Sequence, residues 1–332
     1  MKYAKFLCLA LGVALLALLV HQTDTKEVWH QVTRIGWGGM VVVVGIYFIS
    51  CLSDVYTWQL TFKSIPLNLQ WLYRLYLVRI VGEAFNHITP LASMGGESVK
   101  AVILKNYYRI EYREAGASLV LAKTLDLFAL IIFLAIGFCL LLTSSKVPST
   151  LKTVAGIGLA AFIFAIAMFF LVQRFRLMSR VSRRLAGSRF GGRLSGLLQL
   201  LHDTDEMIVK FYTERQRRCT TAIGVAFINW PLGTLEIYCI MGFLGHLPSF
   251  ADAWIIETVV QLVSAGTFFI PATIGTQEGA FIVICSAITG NSSLGLAVSL
   301  VRRFREILWI LTGLAIGWLF SIKPTSPNRT IS

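Results

Sequence analysis

Two short stretches carry the residue types best placed to do chemistry. TPLASMGGESVK (89–100) and IPATIGTQEG (270–279) each set a Pro, one or more Gly and a Glu between apolar runs, and in each the Glu lies seven residues after the Pro: Pro90 to Glu97, Pro271 to Glu278. A Pro-Gly break inside a membrane ends one half-helix, and its unwound backbone must face protein or water rather than lipid. The next half-helix then starts near the Glu, with first-turn N–H groups that favour negative charge. Glu97 and Glu278 therefore read as gates or proton carriers, and Pro90, Gly95, Gly96, Pro271, Gly275 and Gly279 as hinges. The competing readings are that the breaks merely kink packed helices and that the two carboxylates only cap them.

Other ionisable groups fall inside apolar segments, where each costs on the order of 2.5–3.5 kcal/mol to insert. Arg79, Glu83 and then Asn86 or His87 follow i, i+4, i+7/i+8 spacing; Lys123 and Asp126 are i, i+3; Arg302, Arg303, Arg305 and Glu306 cluster, and Glu236 and Glu257 add acids. Arg79, Asn86, Glu97, Lys100, Lys123, Asp126, Glu278, Arg302 and Arg303 are the candidate binding residues. Together they predict a polar, partly cationic cavity suited to an anionic headgroup whose tails stay in lipid, with Lys100, Lys123, Arg302 and Arg303 attracting the phosphate. The blander alternatives are self-neutralising intrahelical pairs at Lys123–Asp126 and Arg303–Glu306, snorkelling for Arg302 and Arg305, an interfacial anchor for Arg74 and a packed His87. Six cysteines without a CxxC pair and five histidines without ligand spacing give no metal site, and no cofactor is expected.

The elements that must position these groups follow from composition. Of 332 residues, 56% are apolar and only 14% charged, and the mean hydropathy is +0.70. Apolar runs near Tyr3–Val20, Trp37–Leu60, Ala115–Thr143, Leu151–Val172, Cys219–Leu244 and Gly295–Phe320 are long enough to span a bilayer. Leu72–Tyr107 and Phe250–Gly290 are apolar but broken near the middle. Segment 173–218 holds 11 Lys+Arg against four acids, which places it in the cytoplasm and accounts for much of the net charge of +13 without nucleic acid. Within it Leu194, Leu197, Leu198, Leu201, Ile208 and Phe211 fit an amphipathic surface helix. Lys2 and Lys5 put the N-terminus inside, and no small-x-small cleavage site precedes His21, so the first apolar run reads as a retained helix.

Counting crossings gives the expected fold: an all-α polytopic membrane protein of about six spanning helices plus two re-entrant helical hairpins, both termini cytoplasmic. The single transmembrane domain covers 1–322, with inverted repeat halves at about 37–143 and 219–321 and a tail at 323–332. Broken helices in inverted repeats are a recurring transporter design.

Three stretches carry a family resemblance. NHITPLASMGGESVKAVIL (86–104), LVLAKTLDLFAL (119–130) and IPATIGTQEGAF (270–281), the last followed by Arg302 or Arg303, resemble motifs of the lysylphosphatidylglycerol synthase transmembrane-domain family, a flippase-like group. Lys123 stands where the family pattern leads us to expect Arg. The resemblance covers roughly 5–320 and implies a lipid flippase without the synthase domain, since no soluble aminoacyl-transferase domain follows Phe320.

The expected function is transbilayer transport of an anionic phospholipid or lipid-linked envelope precursor, in a bacterial cytoplasmic membrane. No GxxxxGK[ST] loop is present, so the driving force would be the substrate gradient or a coupled ion. The expected partners are the lipid and the enzyme that makes it. One alternative is a membrane glycosyltransferase or phosphatase acting on a polyprenyl-phosphate lipid, for which Asp203 and Asp205 form the one close acidic pair. Another is a non-transporting envelope-assembly partner.

Overall fold

A computed structural model describes residues 33–88, 95–174, 216–267, 270 and 273–322. Among them are nine α-helices and no strand: α1 (Gly36–Thr61), α2 (Leu69–Ile88), α3 (Gly95–Tyr108), α4 (Tyr112–Thr143), α5 (Ser149–Arg174), α6 (Gln216–Phe243), α7 (Phe250–Gly266), α8 (Thr276–Thr289) and α9 (Ser292–Ile322). Four are long and apolar enough to cross a membrane: α1, α4, α5 over 149–168, and α6. These match four of the six predicted spans. The fifth, Gly295–Phe320, is the 31-residue α9, which carries its charge cluster in its first half. The first apolar run, the amphipathic segment, Asp203, Asp205 and the tail lie outside the described residues.

Each interrupted segment contains two helices, α2 and α3 in the first and α7 and α8 in the second. In the second, Ser249 begins α7 with a reciprocal cap: its hydroxyl accepts the Asp252 N–H at 3.1 Å and the Asp252 carboxylate accepts the Ser249 N–H at 3.3 Å. Helix α8 starts after Gly275, whose φ of +83° strains any other L-residue. Pro231 sits inside α6, and the helix runs through it unbroken.

Helix contacts repeat in matched pairs when α1, α2, α3 and α4 are exchanged for α6, α7, α8 and α9. Helix α2 packs on α3 as α7 does on α8; α3 meets α4 as α8 meets α9; α1 meets α2 as α6 meets α7. The first arm of each broken pair also packs on the last helix of the other half, α2 on α9 and α7 on α4. Both crossovers are close. A Cβ on Gly313 would meet the Ile80 carbonyl oxygen at 2.5 Å, and one on Gly137 would meet the Thr258 hydroxyl at 1.8 Å.

One apolar core gathers around Val55, Leu75 and Leu104, and another around Ile237, Met241 and Phe281, the second also taking in Val43 and Leu141 from the first half. Between the halves, α1 and α6 form the most extensive contact. That seam is polar: Ser53 Oγ donates to the Val225 carbonyl at 3.1 Å, Asn229 Nδ2 donates to Asp54 Oδ1 at 2.7 Å, and Ser50 bonds Asn229.

Candidate functional site

The two glutamates singled out by spacing occupy the same position, third residue of α3 and of α8. Each sits beside a second glutamate and shares one cation with it. Lys100 Nζ bonds Glu97 at 2.9 Å and Glu83 of α2 at 2.8 Å. Arg303 of α9 bonds Glu278 at 2.7 Å and Glu306 at 2.8 Å.

Lys100 reaches α2 because two glycines let the helices touch. A Cβ on Gly82 would lie 2.4 Å from the Lys100 stem, and one on Gly96 would lie 1.9 Å from the Gly82 carbonyl oxygen. Asn86 fixes the same crossing by accepting the Gly96 N–H at 2.7 Å. Its amide is thus turned to the start of α3 and does not line the cavity described next.

Seven ionisable side chains converge on a cavity of about 60 Å³ between α1, α2, α3 and α4: Asp54, Arg79, Glu83, Glu97, Lys100, Lys123 and Asp126. That is room for a few water molecules. Arg79 pairs with Asp54. Lys123 is exposed at the edge of the cavity and forms neither a hydrogen bond nor an ion pair with the described residues; nor does Asp126, so the intrahelical pair considered from the sequence is not made. Thr57 also lines the cavity. It is 4% exposed, and its hydroxyl is buried without a hydrogen-bond partner among the described residues, as is Glu97 Oε2.

The second half holds a closed cluster. Arg302, 4% exposed and so not snorkelling, forks onto Glu257 at 2.8 and 3.2 Å and lies 3.5 Å from Glu236. Arg305 bonds Glu236 at 2.6 Å and stacks its guanidinium 3.9 Å from the Tyr47 ring centroid. Here the i, i+3 pair, Arg303–Glu306, is formed. Glu278 also caps α8, accepting the Gly275 N–H at 2.7 Å.

The two clusters correspond along the chain. Asp54 and Glu236, Glu97 and Glu278, Lys123 and Arg303, and Asp126 and Glu306 are separated by 180 to 182 residues. At the place of Lys100 the second half has Phe281, under the Arg302 guanidinium at 5.5 Å. A small cavity of about 20 Å³ adjoins both clusters, lined by Arg79 and Glu83 on one side and Glu306 on the other.

The structure thus places Arg79, Glu97, Lys100, Lys123 and Asp126 around one cavity and Glu278, Arg302 and Arg303 in its closed counterpart. Of the hinges, Gly275 lies in the break, Gly95 and Gly96 in the first turn of α3, and Gly279 within α8, its N–H bonded to the Gly275 carbonyl. Pro90 and Pro271 lie outside the described residues. Arg74 lies over the Trp71 and Tyr108 rings, and His87 is exposed at the edge of the small cavity. Asp54, Thr57 and Asn229 were not singled out from the sequence; a carboxylate and an amide inside two otherwise apolar spans were the available signal. Among the described residues no group of three or more His, Cys, Asp or Glu side chains could hold a metal ion.

The chain matches the family described as the lysylphosphatidylglycerol synthase TM region over residues 5–315, and it belongs to that family. It is 22% identical over 333 residues to a UPF0104 membrane protein of Pyrococcus horikoshii, covering 96% of this chain and 97% of the relative. A UPF0104 membrane protein of Methanothermobacter thermautotrophicus is 22% identical over 338 residues, 96% and 95% of the two chains. No solved structure matches it.

Proposed function

We propose that this member of the lysylphosphatidylglycerol synthase TM region family moves an anionic phospholipid or lipid-linked envelope precursor across the cytoplasmic membrane of a bacterium. In this reading α2–α3 and α7–α8 are re-entrant hairpins of an inverted repeat, entering from opposite faces. The headgroup passes through the polar space between them while its tails remain in lipid. The observation that carries the reading is the charged, water-sized cavity in an apolar helical bundle, with a closed counterpart built from corresponding residues. Buried ionisable groups inside a membrane mark substrate or ion pathways, and broken helices in inverted repeats that rock around a site between them give alternating access. Lys123, exposed on the cavity and with no hydrogen bond or ion pair to the described residues, supplies the phosphate contact.

The test is reconstitution into sealed vesicles containing a fluorescent anionic phospholipid, followed by a membrane-impermeant quencher. Wild-type protein exposes the inner-leaflet probe to quenching, and Lys123→Gln slows this at least tenfold. Equal protection with and without protein overturns the proposal. A chemically altered headgroup after incubation points instead to the polyprenyl-phosphate enzyme.

A further inference from the structure

Most charged groups on the first-half cavity already have partners. Asp54 takes Arg79 and the Asn229 amide, and Glu83 and Glu97 both bond Lys100. Asp126 lines the same cavity but makes no hydrogen bond and no ion pair with the described residues. Lys123, one turn before it, is exposed at the cavity edge and does not bond it. The corresponding position of the second half, 180 residues on, is occupied differently: Glu306 bonds Arg303 at 2.8 Å. Every carboxylate of that second cluster has an arginine on it. Asp126 is thus set apart by its lack of a partner.

Its place in the fold makes that isolation costly. Asp126 lies near the middle of the 32-residue α4, half-buried, in a helix apolar enough to cross a membrane. A carboxylate held in such an interior without a cation or a donor neutralises rather than staying charged. Water can bring the proton, because the cavity has room for a few molecules. It also has polar atoms to hold them: the Thr57 hydroxyl and Glu97 Oε2 are buried without hydrogen-bond partners among the described residues.

We infer that Asp126 is an exchangeable proton site, loaded from water in the first-half cavity. The step balances simply: a hydronium in the cavity gives up a proton and remains as water, and the Asp126 carboxylate becomes a carboxylic acid. The charged groups that share the cavity with it are Asp54 of α1, Arg79 and Glu83 of α2, Glu97 and Lys100 of α3, and Lys123 on its own helix. Helices α5, α6 and α7, which also pack on α4, add no charged group to that lining. Phosphate bound on Lys123 adds negative charge one turn away and strengthens the hold on the proton, so the two load together. As coupling to transport this rests on the proposed function; the proton site itself does not.

The test is infrared difference spectroscopy of the purified, lipid-reconstituted protein across a pH titration. The expected result is a protonated-carboxyl C=O band that persists well above the range of exposed aspartates, about 3.9, and fades as pH rises further. The band moves on labelling with carboxyl-13C aspartate but not glutamate, and it disappears in Asp126→Asn. In Asp126→Glu, which keeps an acid at the position, it passes to the glutamate label. No such band in folded wild type, a wild-type band that follows the glutamate label, or an aspartate band that survives Asp126→Asn overturns the inference. Where Asp126→Asn fails to fold, an aspartate band that survives Asp126→Glu overturns it equally. A band with all the expected properties in a protein that moves no phospholipid would leave the proton site intact and remove the lipid.

Discussion

Removing Arg302 tests whether ion pairing holds the second cluster together. In Arg302→Gln, Glu257 loses two hydrogen bonds, at 2.8 and 3.2 Å, and keeps one neutral donor, Gln261 Nε2 at 2.7 Å. The Glu257 side chain is 2% exposed, so its charge is left buried without a cation, at a cost of about 3–5 kcal/mol. Glu236 is spared because Arg305 still bonds it. Glu257→Gln should cost less, about 1–3 kcal/mol, since Arg302 keeps Glu236 at 3.5 Å and only neutral bonding to Glu257 is lost. The double variant removes both charges and should recover to within about 2 kcal/mol of wild type, as for other buried pairs replaced together. Equilibrium unfolding in mixed micelles gives the three free energies and their coupling. Additive effects, or a double variant as unstable as Arg302→Gln, would refute the reasoning.

The remaining predictions concern single contacts. Gly96→Ala forces α3 off α2 through the 1.9 Å clash with the Gly82 oxygen and should abolish monodisperse protein, whereas Gly116→Ala, which meets nothing within 4 Å, should leave size-exclusion profiles unchanged. Gly275→Ala places a side chain at φ +83° and should lower stability by at least about 1 kcal/mol by thermal unfolding. Lys123→Gln removes one of the three cations that face four carboxylates on the first cavity, so thermal stability should fall together with lipid movement. Outside the spanning helices, burial raises the Asp252 carboxyl, but the Lys146 and Ser249 bonds outweigh this and hold it below its ordinary value. Its contribution to stability is therefore full above the unfolded carboxyl range near about 3.9 and is lost as pH falls through the depressed folded value. Because Lys146 is half exposed, that contribution is modest, and Asp252→Asn should flatten the acid limb of a stability–pH curve.

The broken segments and the matching glutamates were legible because they depend on local signals: Pro and Gly interrupt helices wherever they stand, and spacing within one half can be compared with spacing in the other. The partners of those glutamates were not. Lys123–Asp126 and Arg303–Glu306 share i, i+3 spacing, yet only the second pair bonds. The Arg303 fork reaches Glu306 and Glu278 at once, while at the first site Lys100, three residues after Glu97, already occupies the glutamate. Asp54 and Asn229 meet across 175 residues at the α1–α6 seam, a contact that no pattern along either helix announces. Asn86 reads from the sequence as a substrate ligand; in three dimensions it holds the first turn of the next helix.

The crossed packing of α2 on α9 and α7 on α4 has a consequence for biogenesis. Each half lends its broken pair to the other, so a half synthesised alone would present a bare helix face where Gly137 or Gly313 should receive a neighbour. A gene cut within the basic segment 173–218 would therefore yield two fragments that are each unstable in isolation but mutually chaperoning when co-expressed. The first half emerging from the ribosome must accordingly wait, incompletely packed, until α9 has been inserted.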